Sequence, residues 1–164
     1  MNMRHIIILL LAALVLTACA STPKFDTSGI DTSITPQAAV EKIKSLQGVP
    51  VLWGGVIIAS NNLKDSTQFE ILAYPLDVDQ RPDTEKNPLA RFLAEQDGYL
   101  ETSDFTQGRL ITVMGTLKDT RKGNIGDVEY TYPVVIINQL HLWPKQRDFS
   151  EPRIQFGIGI MLHN

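Results

Sequence analysis

The residue whose surroundings most favour covalent chemistry is Cys19, the only cysteine of the 164-residue chain. It is preceded by a short basic start, Met1 to His5, and by an apolar run from Ile6 to Leu16. That run is shorter than the roughly 20 residues a transmembrane helix needs, and the small residues Thr17 and Ala18 stand directly before the cysteine. The pattern predicts that residues 1–18 are a secretory signal peptide and that Cys19 begins the mature protein.

The tetrapeptide Leu16-Thr17-Ala18-Cys19 resembles a bacterial lipobox. The resemblance implies diacylation of the Cys19 thiol, cleavage after Ala18 and acylation of the freed amine. Each buried methylene of an acyl chain contributes about 0.8 kcal/mol, so three chains hold a protein on a membrane without any apolar protein surface. Ala20 follows the cysteine where inner-membrane lipoproteins often carry Asp, which implies sorting to the outer membrane. An ordinary signal peptide with an unrelated cysteine is the alternative.

Metal-binding chemistry has little support in the rest of the chain. The predicted mature protein holds two histidines, His141 and His163, and a zinc site would have to borrow carboxylates from distant strands. We therefore predict that His141 is an ordinary strand side chain, and that no metal or cofactor is bound. One loop offers oxygen ligands but lacks the spacing and the glycine of a calcium-binding loop. Its acidic residues are Asp77, Asp79, Asp83 and Glu85.

Catalytic patterns are equally weak. The glycines do not form a phosphate cradle, and no Gly-x-Ser-x-Gly elbow occurs. Asp97 and Glu101 could do acid–base chemistry only if the fold brought them together in a cleft. The protein is therefore predicted not to be an enzyme. With 15 Lys and Arg against 18 Asp and Glu, the formal net charge is −3, which argues against a nucleic-acid partner.

Regular secondary structure is predicted to begin after a tether. Residues 19–33 carry the cysteine and are rich in Ser, Thr, Asp, Gly and Pro, so we predict a flexible tether there. Residues 34–164 are predicted to form a single domain. Thr35 as N-cap, Pro36 in the first helical position and Gly48 as the stop predict a helix of about three turns.

A β pattern follows the helix. Gly54 and Gly55 interrupt the first strand and suggest a bulge or a sharp coil, with positive φ or a close backbone approach. Residues 76–88 are predicted to be an exposed loop, and residues 118–127 a polar turn. We predict a mainly β fold: a small, coiled, OB-like antiparallel barrel with one N-terminal helix and a C-terminal strand, or alternatively a flatter sheet. The predicted barrel strands are 51–59, 67–74, 91–94, 108–117 and 130–143.

The end of the chain has a strict alternation. Large apolar residues occupy every even position, while glutamine or glycine fills most odd ones. One interpretation is a strand that covers the core or closes a sheet edge, and the other is a strand that contacts a second molecule or the membrane. The candidate interaction strand consists of Ile154, Phe156, Ile158, Ile160 and Leu162.

Several stretches, taken with the lipobox, resemble the Slp family of starvation-inducible outer-membrane lipoproteins. Their order and spacing carry the resemblance, which spans nearly the whole chain. It implies an outer-membrane lipoprotein linked to stationary phase or stress, and it brings no catalytic residues. The stretches are Val51-Leu52-Trp53-Gly54-Gly55, Asp97-Gly98-Tyr99-Leu100-Glu101, Gly108-Arg109-Leu110-Ile111-Thr112-Val113-Met114-Gly115, Tyr130-Thr131-Tyr132-Pro133-Val134 and Leu142-Trp143-Pro144.

Together these features predict a non-enzymatic protein that is lipid-anchored in the outer membrane, on its periplasmic side, and binds an envelope protein or glycan. Nucleic acid is not expected as a partner. The aromatic residues of the strands are predicted to pack in the structure rather than to bind bases. The alternatives are a structural protein that forms homo-oligomers through the C-terminal strand and, from another class, a cell-wall hydrolase.

Overall fold

The structure is a computed structural model that describes residues 25–145. The predicted signal peptide, Cys19 and the candidate interaction strand lie outside the described residues. Two short helices precede five strands in chain order. The elements are α1 (Pro36–Glu41), α2 (Ile43–Leu46), β1 (Pro50–Asn62), β2 (Ser66–Tyr74), β3 (Arg91–Asp97), β4 (Leu110–Ile125) and β5 (Val128–Leu142).

The five strands form a closed barrel in the order β1-β2-β3-β5-β4, which confirms the predicted OB-like fold and excludes the flatter sheet. Four pairings are antiparallel, as predicted. The pairing that joins β3 to β5 is parallel and short, running from Leu93 opposite Val134 to Glu95 opposite Ile136. Closure of the sheet depends on this short pairing.

The barrel interior is filled by alternate residues of each strand. In β2, Thr67, Phe69, Ile71 and Ala73 are buried, and the residues between them are partly exposed. Trp53 belongs to this core, and its ring lies edge-on to Phe92 at a centroid distance of 5.2 Å. The aromatic and β-branched side chains that made these strands predictable are therefore the ones that exclude water from the interior.

Two glycines allow the strands to coil tightly. A Cβ at Gly55 would overlap the carbonyl oxygen of Leu72, and one at Gly115 would overlap that of Ile136. A close backbone approach was one of the two reasons predicted for Gly55, and the structure confirms it; φ is not positive there. The bulge predicted at the glycines lies further along β1 instead, where the register against β2 shifts between Ile57 and Ala59.

The predicted helix is divided in two. The Thr35 hydroxyl accepts a hydrogen bond from the Ala38 N–H at 3.2 Å, as expected of an N-cap. Lys42 then leaves helical geometry, with φ −116° and ψ 20°, and separates α1 from α2. Gly48, with φ +83°, ends the segment, as the sequence predicted. Both described helices are too short to span a membrane.

The polar turn predicted over residues 118–127 is wrong. Strand β4 continues to Ile125 and β5 starts at Val128, so the turn is only two residues long, with Gly126 at φ +59°. The two strands continue through this polar sequence because its side chains pair across the strands. For example, Lys122 Nζ lies 2.9 Å from Glu129 Oε1.

We predict that Gly55→Ala lowers the free energy of unfolding by about 3 kcal/mol, because the added methyl group meets backbone rather than a movable side chain. Urea denaturation followed by tryptophan fluorescence measures this change. Lys64→Ala, in the exposed β1–β2 turn, is the control and should change stability by less than about 0.5 kcal/mol. Equal stability of the two variants would contradict the close strand approach.

Candidate functional site

The loop between β2 and β3, residues 75–90, folds back onto the outside of the barrel. The sequence predicted an exposed loop, but Pro82 is buried and Leu76 packs against the outer face of β1. A Cβ at Gly54 would lie 2.9 Å from Leu76 Cδ2, so the glycine makes room for this leucine. Asp77, Asp79 and Glu85 are exposed, and so are Val78 and Leu89, so only part of the loop covers the strands.

The acidic side chains of the loop stabilise its turns. Asp77 Oδ1 accepts hydrogen bonds from the N–H groups of Asp79 at 2.8 Å and Arg81 at 3.0 Å. Asp83 Oδ1 accepts from the Glu85 N–H at 3.2 Å. Within residues 25–145, the structure contains no group of three or more His, Cys, Asp or Glu that could hold a metal ion. These carboxylates are therefore explained by the conformation of the loop.

Gln80 connects the loop to two other parts of the molecule. Its side-chain amide accepts the Phe25 N–H at 2.7 Å and donates to the Phe25 carbonyl at 3.0 Å. Its own carbonyl accepts the hydroxyl of the buried Thr112 in β4 at 2.7 Å. Gln80 has φ 63°, the single positive value at a non-glycine residue in the described part of the chain. This strained residue joins the N-terminal segment, the loop and the barrel.

A groove of about 550 Å³ lies between these parts. Its floor is made by the ends of β1 and β2, one wall by the β2–β3 loop, and the other wall by the segment before α1. Trp53 fixes that second wall, since its indole N–H donates to the Ile34 carbonyl at 2.7 Å. The apolar residues of the lining are Ile34, Pro36, Leu52, Trp53, Ala73, Tyr74, Pro75, Leu76 and Leu89.

The chemistry of the groove suits an uncharged ligand with apolar faces. Hydroxyl groups of Thr27, Thr32 and Ser33 stand among the apolar side chains, and Asp77 is the single Asp, Glu, Lys, Arg or His residue of the lining. Apolar walls with a few polar groups are typical of ligand sites, in which the polar groups fix orientation. The arrangement can hold a sugar ring or an extended peptide segment; it offers little to an anionic ligand.

A second polar cluster lies on the outer face of β3. Glu95, which is 7% exposed, accepts hydrogen bonds from Arg121 Nη2 at 2.8 Å and Gln68 Nε2 at 3.1 Å, and Lys118 Nζ lies 3.4 Å from its other oxygen. Burial raises the pKa of Glu95, but the hydrogen bonds and positive charges of these neighbours outweigh it, so the pKa lies below its usual value. The cluster attaches the β4–β5 hairpin to β3.

The histidine and the carboxylate pair that the sequence offered for metal binding or acid–base chemistry do not form a site. His141 packs edge-on against Trp143 at 4.5 Å, and burial lowers the pKa of its imidazole, which favours the neutral form. Asp97 ends β3, whereas Glu101 is exposed and accepts the Ser103 N–H at 3.3 Å. Neither carboxylate lines the groove described above.

The aromatic residues were predicted to pack, and four of the five pack. Trp53, Tyr132 and Trp143 are buried, and Tyr130 stacks edge-on against Tyr132 at 4.7 Å. Tyr74 is partly exposed and lines the groove, which the buried Trp53 also contacts. Sequence reasoning missed Gln80, because a glutamine within a polar loop carries no pattern that marks it as a connecting residue.

These features define a class: a small closed β-barrel domain with a groove on its outer side. The family model of the Outer membrane lipoprotein Slp family matches residues 16–158, so the chain belongs to that family and is a lipoprotein of the outer membrane. The match begins at Leu16, the first residue of the predicted lipobox. The family resemblance seen in the sequence is thereby confirmed.

Two relatives from Escherichia coli (strain K12) are each 30% identical to this chain. Outer membrane protein Slp aligns over 87% of this chain and 77% of its own length. The uncharacterized lipoprotein YeaY aligns over 80% of this chain and 68% of its own length. Among solved structures, the small single-stranded DNA-binding protein from Streptomyces coelicolor is similar with a TM-score of 0.38 and 16% identity, over 58% of this chain and 94% of that one.

We predict that Glu95→Gln lowers the free energy of unfolding by about 1–2 kcal/mol at pH 7, less than a fully buried pair would give because Lys118 and Arg121 are about half exposed. Since the folded-state pKa of Glu95 is lowered, its contribution is present above the unfolded pKa and is lost as the pH falls through the folded pKa. The stabilities of the two proteins should therefore converge as the pH falls below the ordinary glutamate pKa of 4.5 and then through the lower folded-state pKa of Glu95.

Urea denaturation at a series of pH values measures this difference. Glu129→Gln is the matched control, because Glu129 pairs with Lys122 while both side chains are more than two-thirds exposed. That variant should differ from the wild type by less than about 0.5 kcal/mol at every pH. A Glu95→Gln difference that stays constant from neutral to acid pH would contradict the assigned ionisation.

Proposed function

We propose that this protein is a non-enzymatic binding protein, lipid-anchored at Cys19 on the periplasmic side of the outer membrane, and that it holds an envelope protein or glycan in the groove. The groove beside Trp53, Tyr74 and Leu76 is the observation that carries the proposal. Its apolar walls and scattered hydroxyls match a neutral ligand segment. The proposal that the protein acts under stress or in stationary phase rests on its resemblance to starvation-inducible lipoproteins.

The non-enzymatic part of the proposal is supported by how the carboxylates around the groove are used. Asp77 accepts two backbone N–H groups of its own loop, and Asp83 accepts another while it pairs with Lys86 at 3.3 Å. Such carboxylates maintain a turn and have little freedom to transfer protons to a ligand. Binding requires only the surface that these turns support.

The position of the proposed anchor supports a groove close to the membrane. Phe25 is fixed to Gln80, which itself lines the groove. From Cys19 to Phe25 the chain can span at most about 20 Å when fully extended. A lipid on Cys19 would therefore keep the groove within reach of partners at the membrane surface, such as cell-wall glycan or the periplasmic parts of membrane proteins.

We predict that a photoreactive amino acid at position 89 captures one discrete partner in intact cells. Leu89 lines the groove and is 44% exposed, so a probe there can contact a bound ligand without replacing a core residue. The same probe in place of Val128, the first residue of β5, which is 68% exposed, is the control. Mass spectrometry of the adducts distinguishes a protein partner from a glycan.

An adduct specific to position 89 supports the proposed function, and equal labelling from both positions would refute a partner in the groove.

The Cys19→Ala variant tests the anchor separately from the groove. It should lose incorporation of a labelled fatty acid and leave the membrane fraction. If the variant still incorporates the fatty acid, the anchor is assigned to the wrong residue, whatever the groove binds.

A further inference from the structure

A second cavity, of about 310 Å³, lies where the turn at residues 106–110 meets Pro144 and Lys145. It differs from the groove in charge. Its lining contains two cations, Arg109 and Lys145, and no acidic side chain. A cavity with this lining attracts an anion rather than a neutral segment.

The guanidinium of Arg109 is held in place but is not neutralised. Nη1 donates to the Asp104 carbonyl at 3.0 Å, and Nη2 donates to the Trp143 carbonyl at 2.8 Å. Both acceptors are uncharged. In the described part of the chain, no carboxylate lies within ion-pair distance of Arg109, and its Nε is buried without a hydrogen-bond partner.

Two other arginines, in contrast, form ion pairs with carboxylates. Arg91 Nη1 lies 2.7 Å from Glu70, and Arg121 Nη2 lies 2.8 Å from Glu95. Arg109 is half-buried like Arg91 but has only carbonyl oxygens as partners. A partly desolvated positive charge without a counter-ion is unfavourable, so an anion that enters this cavity gains more than it would at an exposed lysine.

We propose that this cavity binds a phosphate group, and that the phosphate is supplied by the headgroup of a membrane lipid. A fixed guanidinium offers the planar donors that phosphate oxygens accept, and Lys145 adds a mobile ammonium at the rim. Phosphate is small enough to enter a cavity of this volume. This site is separate from the groove and takes a ligand of opposite chemical character.

We assign the phosphate to a lipid because the N-terminal segment, which leads to the proposed anchor, is connected to this cavity. This assignment rests on the proposed anchor at Cys19. Hydrogen bonds join Phe25 to Gln80, Gln80 to Thr112, Thr112 to Trp143, and Trp143 to Arg109. Phe25 and Arg109 are thus connected along one side of the barrel. The span of at most about 20 Å from Cys19 to Phe25 keeps that side near the headgroups.

The test uses the full-length acylated protein in a neutral sugar detergent, titrated with inorganic phosphate against chloride at constant ionic strength. Amide resonances of residues 106–110 report binding. We expect saturable shifts in the wild type and affinity about 3- to 10-fold weaker in Lys145→Gln. Lys64→Gln, which removes an exposed lysine in the β1–β2 turn, should bind like the wild type.

Arg109→Gln should abolish the shifts, but it also removes two bonds to backbone carbonyls. Lys145→Gln is therefore the deciding variant, because Lys145 is exposed and makes no hydrogen bond or ion pair with any other residue of 25–145. Unchanged affinity in Lys145→Gln, or no saturable shift in the wild type with phosphate or lipid, would overturn the site.

The source of the phosphate is tested in nanodiscs of digalactosyldiacylglycerol, which has no phosphate, with or without added phosphatidylglycerol. Shifts at residues 106–110 on addition of phosphatidylglycerol support the lipid headgroup. Shifts with inorganic phosphate but none with phosphatidylglycerol would overturn that assignment. Neither result depends on the groove ligand, so failure here and failure of the proposed function are distinguishable.

Discussion

The hydrogen bonds of Gln80 determine how the N-terminal segment, the β2–β3 loop and the barrel are arranged. The side-chain amide pairs with both backbone groups of Phe25, and the backbone carbonyl accepts the buried Thr112 hydroxyl. Each bond contributes about 0.5–1.5 kcal/mol net, which offsets the roughly 1–2 kcal/mol cost of a left-handed backbone at a glutamine. Without these bonds, one wall of the groove would lose its attachment to the other.

Residues of β1 hold both the β2–β3 loop and the N-terminal segment against the barrel. Gly54 leaves room for Leu76 on the outer face of β1, and Trp53 holds the segment before α1 through the Ile34 carbonyl. The Thr112 hydroxyl that donates to Gln80 accepts the Trp143 indole N–H, and the Trp143 carbonyl in turn accepts a hydrogen bond from Arg109. This outer membrane lipoprotein therefore has a largely apolar groove, with Asp77 in its lining, and a separate cavity whose lining includes Arg109 and Lys145.

Much of the barrel could be predicted from the sequence, because alternation in β2 and the glycines of β1 and β4 reflect burial and close strand approach. The parallel pairing of β3 with β5 could not be predicted, because a pairing of three residues leaves no periodic signal in the sequence. The extension of the β4–β5 hairpin was missed because its stabilising pairs, such as Lys122 with Glu129, are polar. The groove depends on Gln80, whose conformation is set by tertiary contacts that no local pattern encodes.

Hydrogen–deuterium exchange of the Phe25 amide measures whether Gln80 fixes the N-terminal segment to the barrel. The amide has Gln80 Oε1 as its acceptor, so it should exchange slowly in the wild type and at close to the unprotected rate in Gln80→Ala. Gln37→Ala, which removes an exposed contact with Glu41, should leave the exchange rate unchanged. An unprotected Phe25 amide in the wild type would contradict the account.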